Sequence, residues 1–193
     1  MAKVSLFEEI IKALDTNFDD VANVDEMKIE ILEDFDVTIK ENKEIENFIE
    51  NTGAKVEYIK TDSPCYYPNS DKIVMHPLEA YNKSIDLYGV LFHELVHWSG
   101  HKNRLNRASL IADNNNIKMY AIEEMTAEIG AMLLYTKFDV YSRFKSSVLY
   151  LKKYFLVVDN DIEELKNSYL ETKKAEKFIS KFSEKKEPIK KIA

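Results

Sequence analysis

The residues that most restrict what this chain can become are His93-Glu94-Leu95-Val96-His97. Around them Leu87, Val90, Leu91, Leu95 and Trp98 recur at helical spacing, so the segment is predicted to be a helix that stops near Gly100. In a helix, positions i and i+4 lie on one face, one turn apart, and both histidines can then reach a single metal ion. Glu94 is rotated by about 100° from His93. That puts its carboxylate beside the ion rather than on it, where it can act as a catalytic base toward water. The competing reading is an exposed helix that merely carries two histidines. The apolar flanks oppose it, because they bury the helix, and burying two imidazoles without partners is costly.

A catalytic zinc usually has three protein ligands and one open position. A second helical pattern, capped within Asn114-Asn115-Asn116 and running from Ile117 to Tyr135, offers the third. On it Glu124 and Glu128 share one face, with Ala121, Ala127 and Ala131 close by, and small side chains let another helix approach. The run from Glu124 to Glu128 resembles the second helix of gluzincin metallopeptidases. That resemblance implies Glu124 as the ligand and Glu128 as the acid that supports a ligand histidine, with the reverse assignment still open. His101 stands one turn past His97 and is an alternative ligand. Because Gly100 breaks the helix before it, a supporting or pocket role is expected instead. The His-His-Glu set suits one Zn2+ per chain, although Mn, Co or Ni can take the same ligands.

Composition narrows the partners. The chain has 193 residues, 45% hydrophobic and 32% charged, enough for one domain with a real core. No apolar run approaches the roughly 18 residues of a membrane span. The opening MAKVSLFEEI has no signal-peptide pattern, and Cys65 is the only cysteine; both point to a cytoplasmic location. Residues 1–50 hold 15 acidic and 5 basic side chains, and phosphate binding requires the opposite balance. With the His-Glu-x-x-His motif, a peptide or protein substrate is expected; nucleic acid and membrane are not supported.

With 4 Gly and 4 Pro the chain is sparsely punctuated and should be rich in helix. Ser5 to Glu8 form a capping-box pattern ahead of Leu6, Phe7, Ile10, Ile11 and Leu14, whereas residues 27–39 fit strand and helix equally. Ile45, Phe48 and Ile49 predict a short helix closed by Gly53. Lys55 to Lys60 and Lys72 to Met75 read as strands, separated by turn-rich segments at 61–64 and 68–71. Further helices are expected after Ser142 and after Asp159 as caps, the last reaching about Phe182. The fold class is α+β, mostly helical, with a small β-sheet beside the His-Glu-x-x-His helix. The boundaries read as an acidic segment at 1–44, a zincin-like domain at 45–183 and a lysine-rich frayed tail at 184–193.

Several separate motifs agree in order: Cys65-Tyr66-Tyr67-Pro68, Asp71 to Met75 with Pro77, His97-Trp98-Ser99-Gly100-His101, Arg104-Leu105-Asn106-Arg107, and Glu123 to Ala131. Together they resemble the C-terminal zincin-like metallopeptidase domain of the antirestriction protein ArdC family, also called the polyvalent-protein metallopeptidase domain. The resemblance runs from about Ile45 to Phe182. It implies a peptidase fold carried by plasmids, phages and conjugative elements. Longer members of the family have an N-terminal domain that binds single-stranded DNA, and the residues before the match show no such domain. A non-catalytic, zinc-containing antirestriction or protein-binding factor is the alternative.

Zincins hold extended substrate along an edge strand beside the zinc helix, which assigns substrate binding to Ile73 and Val74 by backbone pairing, with Tyr67 nearby. Tyr66, Tyr67 and Tyr141 are the phenols considered as donors to the oxyanion of amide hydrolysis. Arg104 and Arg107 are read as loop anchors to carboxylates such as Asp113. Cys65 is read as structural rather than as a thiolate on the metal.

Overall fold

Asn42 starts the first described helix. The computed structural model describes Ile10 and residues 42–81, 84–112, 115–138 and 144–183. Ile10 is helical and buried; the rest of the predicted N-terminal helix, the ambiguous 27–39 segment and the tail lie outside the described residues. The Asn42 side-chain oxygen accepts from the N–H groups of Glu44 and Ile45 at 3.0 and 3.2 Å, satisfying two open donors of α1 (Lys43–Thr52). Gly53 closes that helix at φ 71°, a left-handed conformation that an L side chain would strain. Ile45 and Phe48 carry α1 into the core.

Three short strands follow: β1 (Lys55–Tyr58), β2 (Cys65–Tyr67) and β3 (Lys72–Met75). Their spatial order is β1-β3-β2. β1 runs parallel to β3 with Val56 opposite Ile73, and β2 runs antiparallel with Tyr66 opposite Ile73. This order corrects the edge-strand reading of Lys72–Met75. β3 is the central strand, with a partner on each side, so the backbone at Ile73 and Val74 has no free edge for a substrate. Both side chains are buried as well.

Helices make up the remainder: α2 (Ser84–Ser99), α3 (Ala108–Ile111), α4 (Ile117–Lys137), α5 (Phe144–Val157) and α6 (Ile162–Ser180). Asn116 caps α4 by accepting from Met119 N–H at 3.1 Å. α4 is the hub, packed against α2, α3, α5 and α6. Ala121, Met125, Ala127, Ile129, Ala131, Met132 and Leu134 are buried along it, the pattern of a helix enclosed on most sides. At Gly130 the approach of α2 is closest: a Cβ there would lie 2.6 Å from a methyl of Val96. Asp161 caps α6, accepting from Glu163 N–H at 2.9 Å, rather than the expected Asp159. Asp159 and Asn160 both adopt φ 56° and form the turn before the helix. Trp98 meets Phe178 and Phe182 with centroids 6.0 and 6.2 Å away, fastening the end of α2 to the last helix. Among the described residues no helix is long and apolar enough to cross a membrane.

Candidate metal centre

The site is built where α2 crosses α4. His93 and His97 project one turn apart from α2, and their Nε2 atoms face each other at 3.0 Å. Glu124 of α4 meets them from across the interface. Its two carboxylate oxygens lie 3.5 Å from His93 Nε2 and 3.6 Å from His97 Nε2. Among the described residues these three form a group whose ligand atoms all lie within 4.8 Å of one another. His101 is not in it.

The opposite nitrogens are both occupied by carboxylates. His93 Nδ1 is 3.2 Å from Glu128, and His97 Nδ1 is 2.9 Å from Glu123. A carboxylate on Nδ1 keeps the ring proton there and turns the Nε2 lone pair toward the centre. Two lone pairs facing each other at 3.0 Å, beside a carboxylate, need a cation between them. Tetrahedral zinc with bonds of about 2.0–2.1 Å sets donor atoms roughly 3.4 Å apart. The residues present therefore fit a divalent ion. Burial by itself would lower the His93 pKa, but Glu124 and Glu128 outweigh it and hold the value well above the ordinary imidazole range. Burial opposes the ionisation of Glu124 too, yet the two histidines keep its pKa below the usual carboxylate value.

Glu94 is buried beside this group and not part of it. Its Oε2 accepts from Tyr66 N–H of β2 at 2.7 Å, a bond that fixes the carboxylate against the sheet and leaves the other oxygen for chemistry. Tyr66 is itself fixed. Its hydroxyl donates to Asp71 at 2.8 Å and accepts from Arg104 at 3.0 Å, so it is committed away from the centre. Arg104 pairs with Asp71, donates to Trp98 O at 2.6 Å and stacks on the Trp98 ring at 4.0 Å. The Asp71 carboxyl is held down to about 2 by Arg104, against a smaller opposing effect of burial.

The largest departure from the sequence reading is Glu123. It accepts from Arg107 Nε at 2.7 Å, from Arg107 Nη2 at 2.7 Å and from Ser109 Oγ at 2.6 Å, besides its contact with His97. Burial resists its ionisation, but Arg107 and His97 keep its pKa far below the carboxylate range. Arg107 also donates to Val96 O at 2.7 Å, and the guanidinium lies where a Cβ on residue 100 would stand, 2.6 Å away. Gly100 is thus needed for the close approach of this arginine as well as for the helix end. The anchors of Arg104 and Arg107 are Asp71 and Glu123; Asp113 lies outside the described residues. The available signal for Glu123 was its position beside Glu124 on a helix otherwise buried, with Arg107 as the nearby cation.

His101 is buried in the loop after α2, and its Nδ1 accepts from Asn103 N–H at 3.2 Å. Tyr67 lines an open cleft of about 870 Å³ that contains the centre; the same cleft takes in Cys65, Tyr120, Tyr150 and Tyr154. Burial, with the charges of Glu94 and Glu124, pushes the Cys65 thiol up to about 11, so it stays a thiol at neutral pH. Burial and the neighbouring Glu124 charge likewise raise the Tyr120 and Tyr154 phenols. Tyr141 lies outside the described residues.

The sequence pattern of the zincin-like metallopeptidases matches residues 43–168, more than half of the chain. The chain belongs to that family. As a zincin-like protein it is similar to two solved structures of the antirestriction ArdC protein from the R388 plasmid. The Mn(II)-bound form is 28% identical with a TM-score of 0.66, over 79% of this chain and 57% of that one. The metal-free form is 28% identical with a TM-score of 0.64, over 77% and 53%. A DNA primase TraC of Escherichia coli is 26% identical over 140 residues, which are 72% of this chain and 13% of the primase. The zincin-like chain thus spans about an eighth of that relative's length. The family and the Mn(II)-bound relative agree with a divalent-metal fold here.

Proposed function

We propose that this chain is a zinc-dependent peptidase of gluzincin type, with His93, His97 and Glu124 as the metal ligands and Glu94 as the base. The observation that carries the reading is the convergence of two Nε2 atoms and one carboxylate, each histidine backed by its own acid. A divalent ion held there supplies Lewis acidity, polarising a carbonyl and making water more acidic. Glu94, held by Tyr66 N–H, removes a proton from the attacking water as its oxygen bonds to the carbonyl carbon. The same carboxylic acid then delivers that proton to the amide nitrogen as the C–N bond breaks, so water is added across the peptide bond. The cleft around the centre is open, which supports a polypeptide as substrate, and Tyr67 is among its lining residues. A cytoplasmic protein of a mobile genetic element fits the single free cysteine and the relatives.

The test is Glu94→Gln. The amide keeps the shape and still accepts from Tyr66 N–H but cannot hold the proton. The variant is expected to bind zinc like the parent and to lose peptide hydrolysis by at least about 100-fold. Undiminished turnover refutes the role. A second reading is favoured by the antirestriction name of the solved relatives: a factor that protects DNA without cleaving peptides. It predicts salt-sensitive binding of single-stranded DNA by this chain, and lack of binding at low salt removes it.

A further inference from the structure

The two histidines of the metal centre are backed by acids in unlike surroundings. Glu128 stands 3.2 Å from His93 Nδ1. Among the described residues that imidazole is its one ion-pair partner, and its charge is felt as far away as the Tyr154 phenol. Glu123, behind His97, is crowded. Its Oε1 is shared between His97 Nδ1 at 2.9 Å and Arg107 Nη2 at 2.7 Å. Its Oε2 accepts from Arg107 Nε at 2.7 Å and from Ser109 Oγ at 2.6 Å. Two of these donors belong to a guanidinium that is always charged and, at 1% exposure, poorly screened by water.

An ionised carboxylate on Nδ1–H makes an imidazole a better donor to a metal. A carboxylate already neutralised by a forked guanidinium has less charge to lend. The guanidinium also repels a divalent ion directly, and burial strengthens that repulsion. Arg107 has no room to swing away. It donates to Val96 O in α2 at 2.7 Å and fills the space beside Gly100, where a Cβ would stand 2.6 Å from it. The countercharge is therefore fixed behind His97, and Glu128 has none among the described residues. From this asymmetry we propose that Arg107, acting through Glu123, is a positioning residue that restrains metal affinity. It withholds the Glu123 charge from His97, so a divalent ion is gripped chiefly from the His93 side and keeps more of its own charge for polarising a carbonyl. The proposal rests on the metal-centre reading and is independent of whether the chain hydrolyses peptides.

The experiment titrates zinc into the metal-stripped full chain against a competing chelator. Arg107→Met removes the charge and leaves an unbranched stem. Its metal-free fold is less stable, yet it is expected to bind zinc at least about tenfold more tightly, because the ion supplies the countercharge that Glu123 has lost. Arg107→Lys keeps the charge and should stay within about threefold of the parent. Glu128→Gln should weaken zinc about 10- to 100-fold. The double variant Arg107→Met, Glu123→Gln deletes both charges and leaves an amide oxygen for His97 Nδ1–H, so it should stay within about threefold of the parent. Co(II) in place of zinc gives a second readout: its visible ligand-field bands should move to higher energy in Arg107→Met as His97 becomes the stronger donor. A role in packing alone predicts the opposite sign, weaker zinc binding in Arg107→Met with unmoved bands, and that result overturns the proposal. So does a loss in the double variant equal to that in Glu128→Gln, a comparison that decides the matter even if Arg107→Met fails to fold. If the parent itself binds no zinc, the metal-centre reading falls and takes this proposal with it.

Discussion

Replacing Arg107 with methionine is the perturbation whose size can be worked most directly. The Arg107 and Glu123 side chains are 1% and 5% exposed and share two 2.7 Å contacts. Removing one partner of such a pair leaves an uncompensated buried charge and costs about 3–5 kcal/mol. For a chain of this size each kcal/mol moves Tm by about 2–4 °C, so Arg107→Met should lower Tm by about 6–20 °C in metal-stripped protein. The pH dependence has a fixed sign. Glu123 is held below the ordinary carboxylate pKa, so its stabilising contribution is present above the unfolded value of 4.5 and is lost as pH falls through the folded value. Without the guanidinium the folded value rises, and the acid loss of stability moves to higher pH. Urea titrations at pH 7 and pH 5 measure both effects. Glu123→Gln alone strands the arginine at a similar cost, and the double variant should recover part of it, giving strongly non-additive energies. A loss below about 1 kcal/mol for Arg107→Met, or simple additivity, would refute the coupling.

Two further outcomes follow from the same geometry. Gly130→Ala forces a Cβ to 2.6 Å from Val96, an overpacking of about 1–3 kcal/mol offset by about 1 kcal/mol of helix propensity; zinc affinity, read by chelator competition, should fall because α4 carries Glu123, Glu124 and Glu128. Val96→Ala in the same chain should restore it, and unchanged affinity in Gly130→Ala contradicts the close-approach argument. Zinc uptake should release protons, because Glu124 and Glu128 favour the protonated His93 ring in metal-free protein and a metal takes the neutral one. His93 stabilises the metal-free fold fully below pH 6.5 and loses that effect as pH rises through its raised value, so zinc affinity grows across that window. Calorimetry in two buffers of different ionisation enthalpy counts the protons, and none released would contradict the pairing.

What the sequence disclosed was whatever local spacing encodes. The i, i+4 histidines and the apolar stripe around them lead to α2, and Glu124 and Glu128 on one face of α4 both lie against these histidines, Glu124 on the Nε2 side and Glu128 at the Nδ1 of His93. Gly53 closes α1 because its residue type alone favours φ 71°. What stayed hidden depends on pairing across the chain. β2 has three residues between turn-rich segments, too short to show alternation, and only its antiparallel placement beside β3 makes β3 central. Local spacing therefore suggests for Ile73 and Val74 an edge that they do not have. Glu123 was hidden for a related reason: next to Glu124 it looks like the solvated half of an acidic pair, and its meaning comes from Arg107, 16 positions earlier. His101 shows the converse, since its spacing from His97 looks helical but the helix ends at Ser99.

The central claim is that two imidazole Nε2 atoms and the Glu124 carboxylate converge to hold one divalent ion. A crystal structure of zinc-loaded protein, with anomalous diffraction collected on both sides of the zinc edge, tests it directly. The account predicts a single anomalous peak bonded to His93 Nε2, His97 Nε2 and Glu124, with Glu128 and Glu123 still on the Nδ1 atoms. A peak bonded to His101, to Cys65 or to Glu128 in place of Glu124, or no peak at this crossing, would contradict it.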